Sequence, residues 1–270
     1  MPAGGGDSLL LLATTERLTG SLTAPSACIA KDEMYYTLRR DLRLRAQYAY
    51  DWALWIFKYR RSRLAQKTFV LNSRSYRYLV HPYNHTWANE RAVEIPVIRG
   101  LLQQKGHAEI LEVGNVLAHY GEAPHPVVDK YERGSARIIH EDIVGYRSAA
   151  RFDLAVSVST IEHVGWDDHP RDPPRVLEAF TRLTQLLRPG GHALVTIPIG
   201  YNRFLDLCIR HGRIGWSSAH FLRRVSLENE WVESELATAL KQTYGAPYPN
   251  ANAVAFLRFE SSATRSNGSE

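Results

Sequence analysis

The feature that most narrows the fold is a regular alternation through the middle of the chain. Short runs rich in Val and Ile alternate with helix-forming or turn segments: "EILEVG" (109–114), "PVVDKY" (126–131), "ARIIHEDI" (136–143) and "FDLAVSVS" (152–159). A helical stretch, "PPRVLEAFTRLTQLLRPGG" (173–191), then leads into "HALVTIPI" (192–199). The strand runs are almost continuously apolar, as strands covered on both faces of a parallel sheet must be. Parallel neighbours need crossover connections, so the expected fold is α/β, a doubly wound and mostly parallel sheet. "NAVAFLRFE" (252–260) reads as a further strand, a hairpin partner at the sheet edge.

The segment before this alternation reads differently. Residues 1–31 are rich in Gly, Ser, Thr and Ala and are expected to be flexible, as is the polar tail 261–270. Residues 32–66 carry a helical pattern that includes "YAYDWALWIFKYRRSR" (48–63), whose aromatics fall at helical spacing ahead of a basic end. That stripe is expected to be core or a dimer contact, with a solvated basic end, in preference to a membrane-interface element. "TFVLNSRSYRYLVH" (68–81) reads as a hairpin around Asn72–Ser73, and 82–106 as a loop leading into a helix. The expected organisation is an extension and lid over 32–106 and a catalytic domain over 107–260.

Composition excludes some classes. No apolar run approaches the length of about 20 residues needed to span a bilayer. The "LLLL" at Leu9–Leu12 lacks the basic flank of a signal peptide. Cys28 and Cys208 form neither a disulfide framework nor a zinc signature, which points to a reducing, cytoplasmic location. A net charge of +5 over 270 residues favours anionic partners without naming one.

In open parallel sheets ligands bind beyond the carboxyl ends of the strands. The segments to inspect are therefore Glu112–Leu117, Asp129–Glu132, Glu141–Ile143 and Ser159–His163. Acids recur at three of these four strand ends. Any single acid there is ordinarily a solvated cap, but together they suit a ligand rich in hydroxyls and amines. A diphosphate would want a glycine-rich backbone cradle at the first helix N-terminus. "ILEVGNVLAHYG" (110–121) has Gly114 and no other glycine before Gly121, so a dinucleotide is disfavoured.

These motifs resemble the class I S-adenosylmethionine-dependent methyltransferases. The resemblance covers roughly 110–199 and rests on "ILEVGNVLAHYG", "VVDKYE", "IIHEDI", "FDLAVSVSTIEHVGW" and "LLRPGGHALVTIPI". It implies a Rossmann-like, seven-stranded-type sheet with an N-terminal helical extension, and S-adenosylmethionine as cofactor. Glu112, Gly114 and Asn115 would lie at the methionine half. Asp129, with Glu132 as rival, would meet the ribose. Asp142 and Ile143 would flank the adenine, and Ser159 would close the methionine side. "YNHTWANERAVEIP" (83–96) extends the likeness to bacterial polysaccharide and glycolipid sugar O-methyltransferases. Trp87, Asn89, Glu90 and Arg91 then become acceptor contacts, although Asn89 and Glu90 equally read as a helix N-terminus.

A sugar hydroxyl needs a general base or a metal to lose its proton. "TIEHVGWDDHP" (160–170) offers both: His163 as base with Glu162 beside it, or Glu162, His163 and Asp167 as ligands of Mg²⁺. The expected acceptor is a saccharide or another small hydroxyl compound, with quinol or phenolic acceptors and RNA as rivals. RNA and DNA are disfavoured because the Asn/Asp-Pro-Pro-aromatic loop of base methylation is replaced here by "STIEHV". A non-enzymatic interaction protein on the same fold is the remaining alternative. The extension could also serve as a homo-oligomer contact.

Overall fold

The computed structural model describes residues 42–47, 49–106, 108–121, 124–132 and 137–261. The expectations for the flexible start and for the tail beyond Ser261 lie outside them. The chain divides into two compact units, Met1–Tyr48 and Ala49–Glu270. Of the first, residues 42–47 are described, and they are helical.

The second unit is built on an eight-stranded sheet and a separate hairpin. The hairpin comes first. Strands β1 (Thr68–Leu71) and β2 (Arg74–Arg77) pair antiparallel through a two-residue turn, Asn72 and Ser73, both at positive φ. That is the turn geometry whose twist matches the flanking strands. A helical segment (49–54) running into a π-helical turn (Trp55–Tyr59) and a short helix α1 (Arg63–Gln66) precede it. The aromatic stripe in that segment is not core: Phe57 is 88% exposed, and no residue of Trp55–Tyr59 is buried. The two tryptophans instead meet edge to face, and the Trp55 indole N–H donates to the Val80 carbonyl at 2.6 Å.

Helix α2 (Arg91–Lys105) carries Pro96. A proline has no N–H to bond the carbonyl four residues back. Here that carbonyl, on Ala92, accepts from Leu79 N at 2.9 Å and ties the exit of the hairpin to the helix.

The sheet follows, with β3 (Ile110–Val113), β4 (Val127–Val128), β5 (Ile138–Ile139), β6 (Phe152–Val158), β7 (Leu187–Pro198), β8 (Ser218–Arg224), β9 (Trp231–Ser234) and β10 (Ala253–Glu260). Their order is β5-β4-β3-β6-β7-β10-β8-β9. Strands β3 to β7 are mutually parallel, and β10 runs antiparallel between β7 and β8. The expected doubly wound, mostly parallel sheet is therefore present. Helix α2 covers one face through Ile95 and Ile98 against Leu154, Val156 and Val158. Helices α3 (Arg175–Gln185) and α4 (Arg203–Arg210) cover the other, through residues such as Phe180, Leu183, Leu205 and Ile209. A short α5 (Leu236–Ala239) follows β9.

Several boundaries differ from the sequence reading. β10 lies inside the sheet, not at its edge, and β9 forms that edge. Helix α3 stops at Gln185, and strand β7 already pairs Leu187 with Phe152 before the Pro189–Gly191 irregularity. The residue before a proline avoids the helical region, so "LRPGG" cannot prolong the helix. The elements α4, β8, β9 and α5 were not anticipated. Residues 49–106 belong to the same compact unit as the sheet.

Candidate active site at the sheet's switch point

Strand β3 leads outward to β4 and β5, while β6 leads the other way to β7. Between β3 and β6 the winding direction reverses, and a crevice opens above their carboxyl ends. A cavity of about 460 Å³ occupies that place, within the size range of small-molecule sites. Its walls include Val113, Val128, Ile143 and Val164; its polar groups include Asp129, Lys130, Asp142, His163, Asp167 and Asp168.

Of the residues singled out from the sequence, Gly114, Asp129, Asp142, Ile143, His163 and Asp167 line this cavity. Gly114 is required twice over. Its φ is +85°, and a Cβ there would lie 2.2 Å from Thr160 Oγ1. The ends of β3 and β6 therefore approach closely only because position 114 has no side chain.

Glu112 does not face the cavity. It is fully buried, and its oxygens are committed: Oε1 accepts from Val116 N at 2.9 Å and Leu117 N at 2.8 Å, and Oε2 meets His125 Nε2 at 2.9 Å. This explains the missing glycines. In a phosphate-binding loop free backbone N–H groups would meet the ligand. Here the chain's own carboxylate takes two of them, so the loop is closed without glycine and cannot cradle a diphosphate.

Asn115 likewise serves the scaffold. Its backbone N donates to Asp129 Oδ2 at 2.8 Å, and its side chain donates to Glu132, which also meets His119 at 3.1 Å. Of the two rival acids after β4, Asp129 is the one on the cavity wall; Glu132 ties loops together outside it. Asp129 Oδ1 accepts from Tyr131 N and Glu132 N, each at 2.8 Å. Asp142 accepts from Val144 N at 3.0 Å and from Arg175 Nη2 at 3.0 Å.

Across the cavity Lys130 Nζ sits 2.6 Å from Asp168 Oδ1 and 3.4 Å from Asp142 Oδ2. The hydrogen bond to Asp168 raises the Lys130 pKa, and the same bond holds Asp168 below the usual carboxylate range. The wall is otherwise acidic, which suits a cationic, hydroxyl-bearing ligand.

Ser159 and Glu162 belong to a buried polar group behind the cavity. Ser159, at φ +38°, donates through Oγ to Glu94 Oε1 at 2.5 Å and offers its carbonyl to Arg91 Nη2 at 3.4 Å. Arg91 also pairs with Glu94 at 2.5 Å. Burial, with Glu94 adding to it, raises the Glu90 pKa, and burial raises that of Glu162 well above the ordinary value. Glu162 Oε2 has no hydrogen-bond partner among the described residues. Asn89 behaves as the helix-start reading expects, its Oδ1 accepting from Arg91 N at 3.0 Å, while Glu90 accepts from Ala251 N at 3.2 Å. None of Asn89, Glu90 and Arg91 lines the cavity, and Trp87 lines a different one.

At His163 two acids occupy opposite ring edges. Asp167 Oδ2 is 2.6 Å from Nδ1, while Glu162 Oε1 is 3.6 Å from Nε2, beyond hydrogen-bond reach. As placed, the expected Mg²⁺ set of Glu162, His163 and Asp167 is not gathered around one point: Asp167 and Glu162 lie nearest different imidazole nitrogens of His163. Among the described residues no three His, Cys, Asp or Glu side chains converge on a metal position.

Thr160, within the inspected segment Ser159–His163, meets Gly114. Tyr201 was missed: it donates from its hydroxyl to Asp167 Oδ2 at 2.7 Å with its ring edge-on to His163. It follows the carboxyl end of β7, so applying the strand-end rule to β7 as well as β6 would have found it. Burial opposes ionisation of Asp167, but the bonds from His163 and Tyr201 prevail and lower its pKa.

No family model matches the sequence, nor does any curated protein. Several solved structures are similar. The N-methyltransferase NodS from Bradyrhizobium japonicum, in complex with S-adenosyl-L-homocysteine, is 17% identical over 65% of this chain and 94% of that one, with a TM-score of 0.38. A SAM-dependent methyltransferase from Thermotoga maritima, described as a possible histamine N-methyltransferase, is 14% identical over 56% of this chain and 81% of that one, at 0.35. CalS10, an amino pentose methyltransferase from Micromonospora echinaspora, is 15% identical over 38% of this chain and 48% of that one, at 0.28. No helix among the described residues is long and apolar enough to cross a membrane.

Proposed function

We propose that this protein is an S-adenosylmethionine-dependent O-methyltransferase acting on a saccharide hydroxyl. One observation carries the reading: an acid-lined cavity at the sheet's switch point, closed by Gly114 against Thr160, with a His163–Asp167 pair on its wall. The residues present fit the cofactor. The acids Asp129 and Asp142 suit hydroxyls and a positive charge, Val128, Ile143 and Val164 suit a flat apolar ring, and the N–H groups of Val116 and Leu117 are taken by Glu112 and not offered to a phosphate. When bound, the cofactor supplies an electrophilic methyl group activated by the neighbouring positive sulfur.

The chain's own residues supply the rest. Asp167 accepts from Nδ1 of His163, which fixes the tautomer and leaves Nε2 with its lone pair. In the reaction the hydroxyl proton of the acceptor passes to Nε2, and the imidazolium so formed is balanced by ionised Asp167. Tyr201 holds Asp167 from the other side. Burial raises the Glu162 pKa well above the ordinary value, which opposes a second negative charge beside the ring.

The test is labelled-methyl transfer from S-adenosylmethionine to a panel of mono- and oligosaccharides, with and without EDTA. Transfer that survives EDTA and is lost in His163→Ala is the expected result. Transfer only to a quinol, a phenol, an amine or RNA would overturn the acceptor class. Failure to bind S-adenosylhomocysteine would overturn the cofactor.

A further inference from the structure

A second cavity, of about 710 Å³, lies apart from the switch point. Its lining includes Lys58, Tyr59, Arg63, Trp87, Leu227 and Glu228. The Tyr59 and Trp87 rings are stacked at 4.1 Å with only 4° between their planes, and both remain partly exposed. Lys58, Arg63 and Glu228 make no ion pair among the described residues. The cavity therefore combines aromatic surface, the cations Lys58 and Arg63, of which Lys58 lies over the Tyr59 ring at 5.1 Å, and a carboxylate acceptor. Such a lining matches a polyhydroxylated ligand, whose C–H faces pack on rings while its hydroxyls and any anionic group meet the polar rim.

The cavity is built, not a surface accident. The turn between β8 and β9 supplies Leu227 and Glu228, and buried Asn229 pins that turn to the segment carrying Trp87, donating to the Thr86 and Asn89 carbonyls at 3.1 and 2.7 Å. Arg224 and Asn250 both donate to the Ala88 carbonyl, at 2.9 and 3.1 Å. Neighbouring residues are thus fixed before any ligand arrives.

Its position connects it to the active site. β8 runs parallel to β7, because β10 is antiparallel to both, so the β8–β9 turn sits on the same sheet edge as the switch-point cavity. The turn segment Tyr83–Ala88 joins the two places: Tyr83 stacks on His119 beside the β3 loop at 4.2 Å, and Trp87 stacks on Tyr59. Three strand spacings separate β6 from β8, about 14 Å. A separation of that order exceeds one sugar unit and matches a chain of several.

We infer that the Tyr59–Trp87 cavity is a distal acceptor subsite that holds a saccharide residue several units from the one methylated, with Lys58 and Arg63 facing an anionic substituent. This rests on the saccharide reading above and specifies it: the acceptor is an oligosaccharide, not a free sugar.

The experiment is direct binding of neutral and uronate-containing tetrasaccharides to the full chain, by saturation-transfer NMR and tryptophan fluorescence, with S-adenosylhomocysteine affinity measured in parallel. Trp87→Ala and Tyr59→Ala are expected to weaken tetrasaccharide binding about tenfold, the loss of one stacking contact, with S-adenosylhomocysteine affinity unchanged. Lys58→Ala and Arg63→Ala, at exposed positions that leave folding intact, are expected to weaken only the uronate-containing ligand, severalfold. Tetrasaccharide binding that is absent, or equal in all four variants, overturns the subsite. Binding here without methyl transfer overturns the methyl-acceptor reading and leaves the subsite standing, so the two failures are distinguishable.

Discussion

The two halves of the sheet are held together by different forces. On one side β3, β4 and β5 are two to four residues long, and between β3 and β6 the described residues contain no helix longer than the single turn Leu117–Tyr120. On the other side β6, β7, β8 and β10 are seven to twelve residues long and lie against α3 and α4. The long half is stabilised by apolar burial. The short half is organised by carboxylates that take backbone N–H groups: Glu112 holds 116 and 117, Asp129 holds 115, 131 and 132, and Asp142 holds 144. Acids that line or flank the site also build its loops. The site and the fold of that half are therefore one set of interactions, whereas in the other half packing and chemistry are separable.

The sharpest way to break the contrast is to compare Glu112→Ala with Leu183→Ala. Both should cost about 3–5 kcal/mol, the first by stranding His125 and two loop N–H groups, the second by leaving a core cavity. Denaturant unfolding reads that cost, and calorimetry reads S-adenosylhomocysteine affinity in the folded protein. Affinity should collapse in Glu112→Ala and persist in Leu183→Ala; equal affinities would erase the distinction.

A smaller effect is expected at Gly114. Gly114→Ala forces a Cβ into Thr160 at positive φ, costing about 1–3 kcal/mol of stability. Thr160→Gly in the same chain should restore part of the cofactor affinity, a non-additivity that a double-mutant cycle measures. Strict additivity would mean that the close approach of β3 and β6 does not shape the cavity.

The long half contains an acid that is not matched to its surroundings. Burial pushes the Asp206 carboxyl up to about 6, although Gly200 N donates to it at 3.0 Å, and Oδ1 has no hydrogen-bond partner among the described residues. The folded state therefore prefers the protonated acid. Its stabilising contribution is complete below the unfolded pKa and is lost as pH rises through about 6. Asp206→Asn should accordingly stabilise the protein at pH 8 by about 1–2 kcal/mol and do little at pH 4. Thermal melts at the two pH values check this, and an equal shift at both would refute it.

The smallest effect is expected at the Lys130–Asp168 pair across the cavity. Lys130 is 40% exposed and Asp168 19%, so solvent screens the interaction. Asp168 is depressed, so its contribution is present above the unfolded carboxylate pKa and lost as pH falls below it. Asp168→Asn should cost under about 1 kcal/mol at pH 7 and less at high salt, read from unfolding curves at two ionic strengths.

Much of the fold was legible because apolar strand runs and helical periodicity are local signals. The hairpin turn at Asn72–Ser73 and the strands at 110–113 and 152–158 needed no tertiary information. The region after Pro198 was less legible, since β8 and α4 carry Arg, Asp and His among their apolar residues. For the basic aromatic stripe, read as core or a dimer contact, only the core alternative fails, for a related reason: periodicity identifies a helix face but not what covers it, and Phe57 lies exposed.

What the sequence determined by itself was where the candidate site should lie and which residue types it offers. Acids at successive strand ends, one glycine where a diphosphate would want several, and a His with acids nearby follow from residue types and spacing. What only the tertiary structure decided was which acid does what. Glu112 turned out to be a buried clasp and Asp129 a wall, and Asp167 the partner of Nδ1 with Tyr201 behind it. Spacing along a chain cannot distinguish these roles, because a carboxylate commits its lone pairs to whichever donors the fold brings within about 3 Å, and those donors come from strands and loops far apart in sequence.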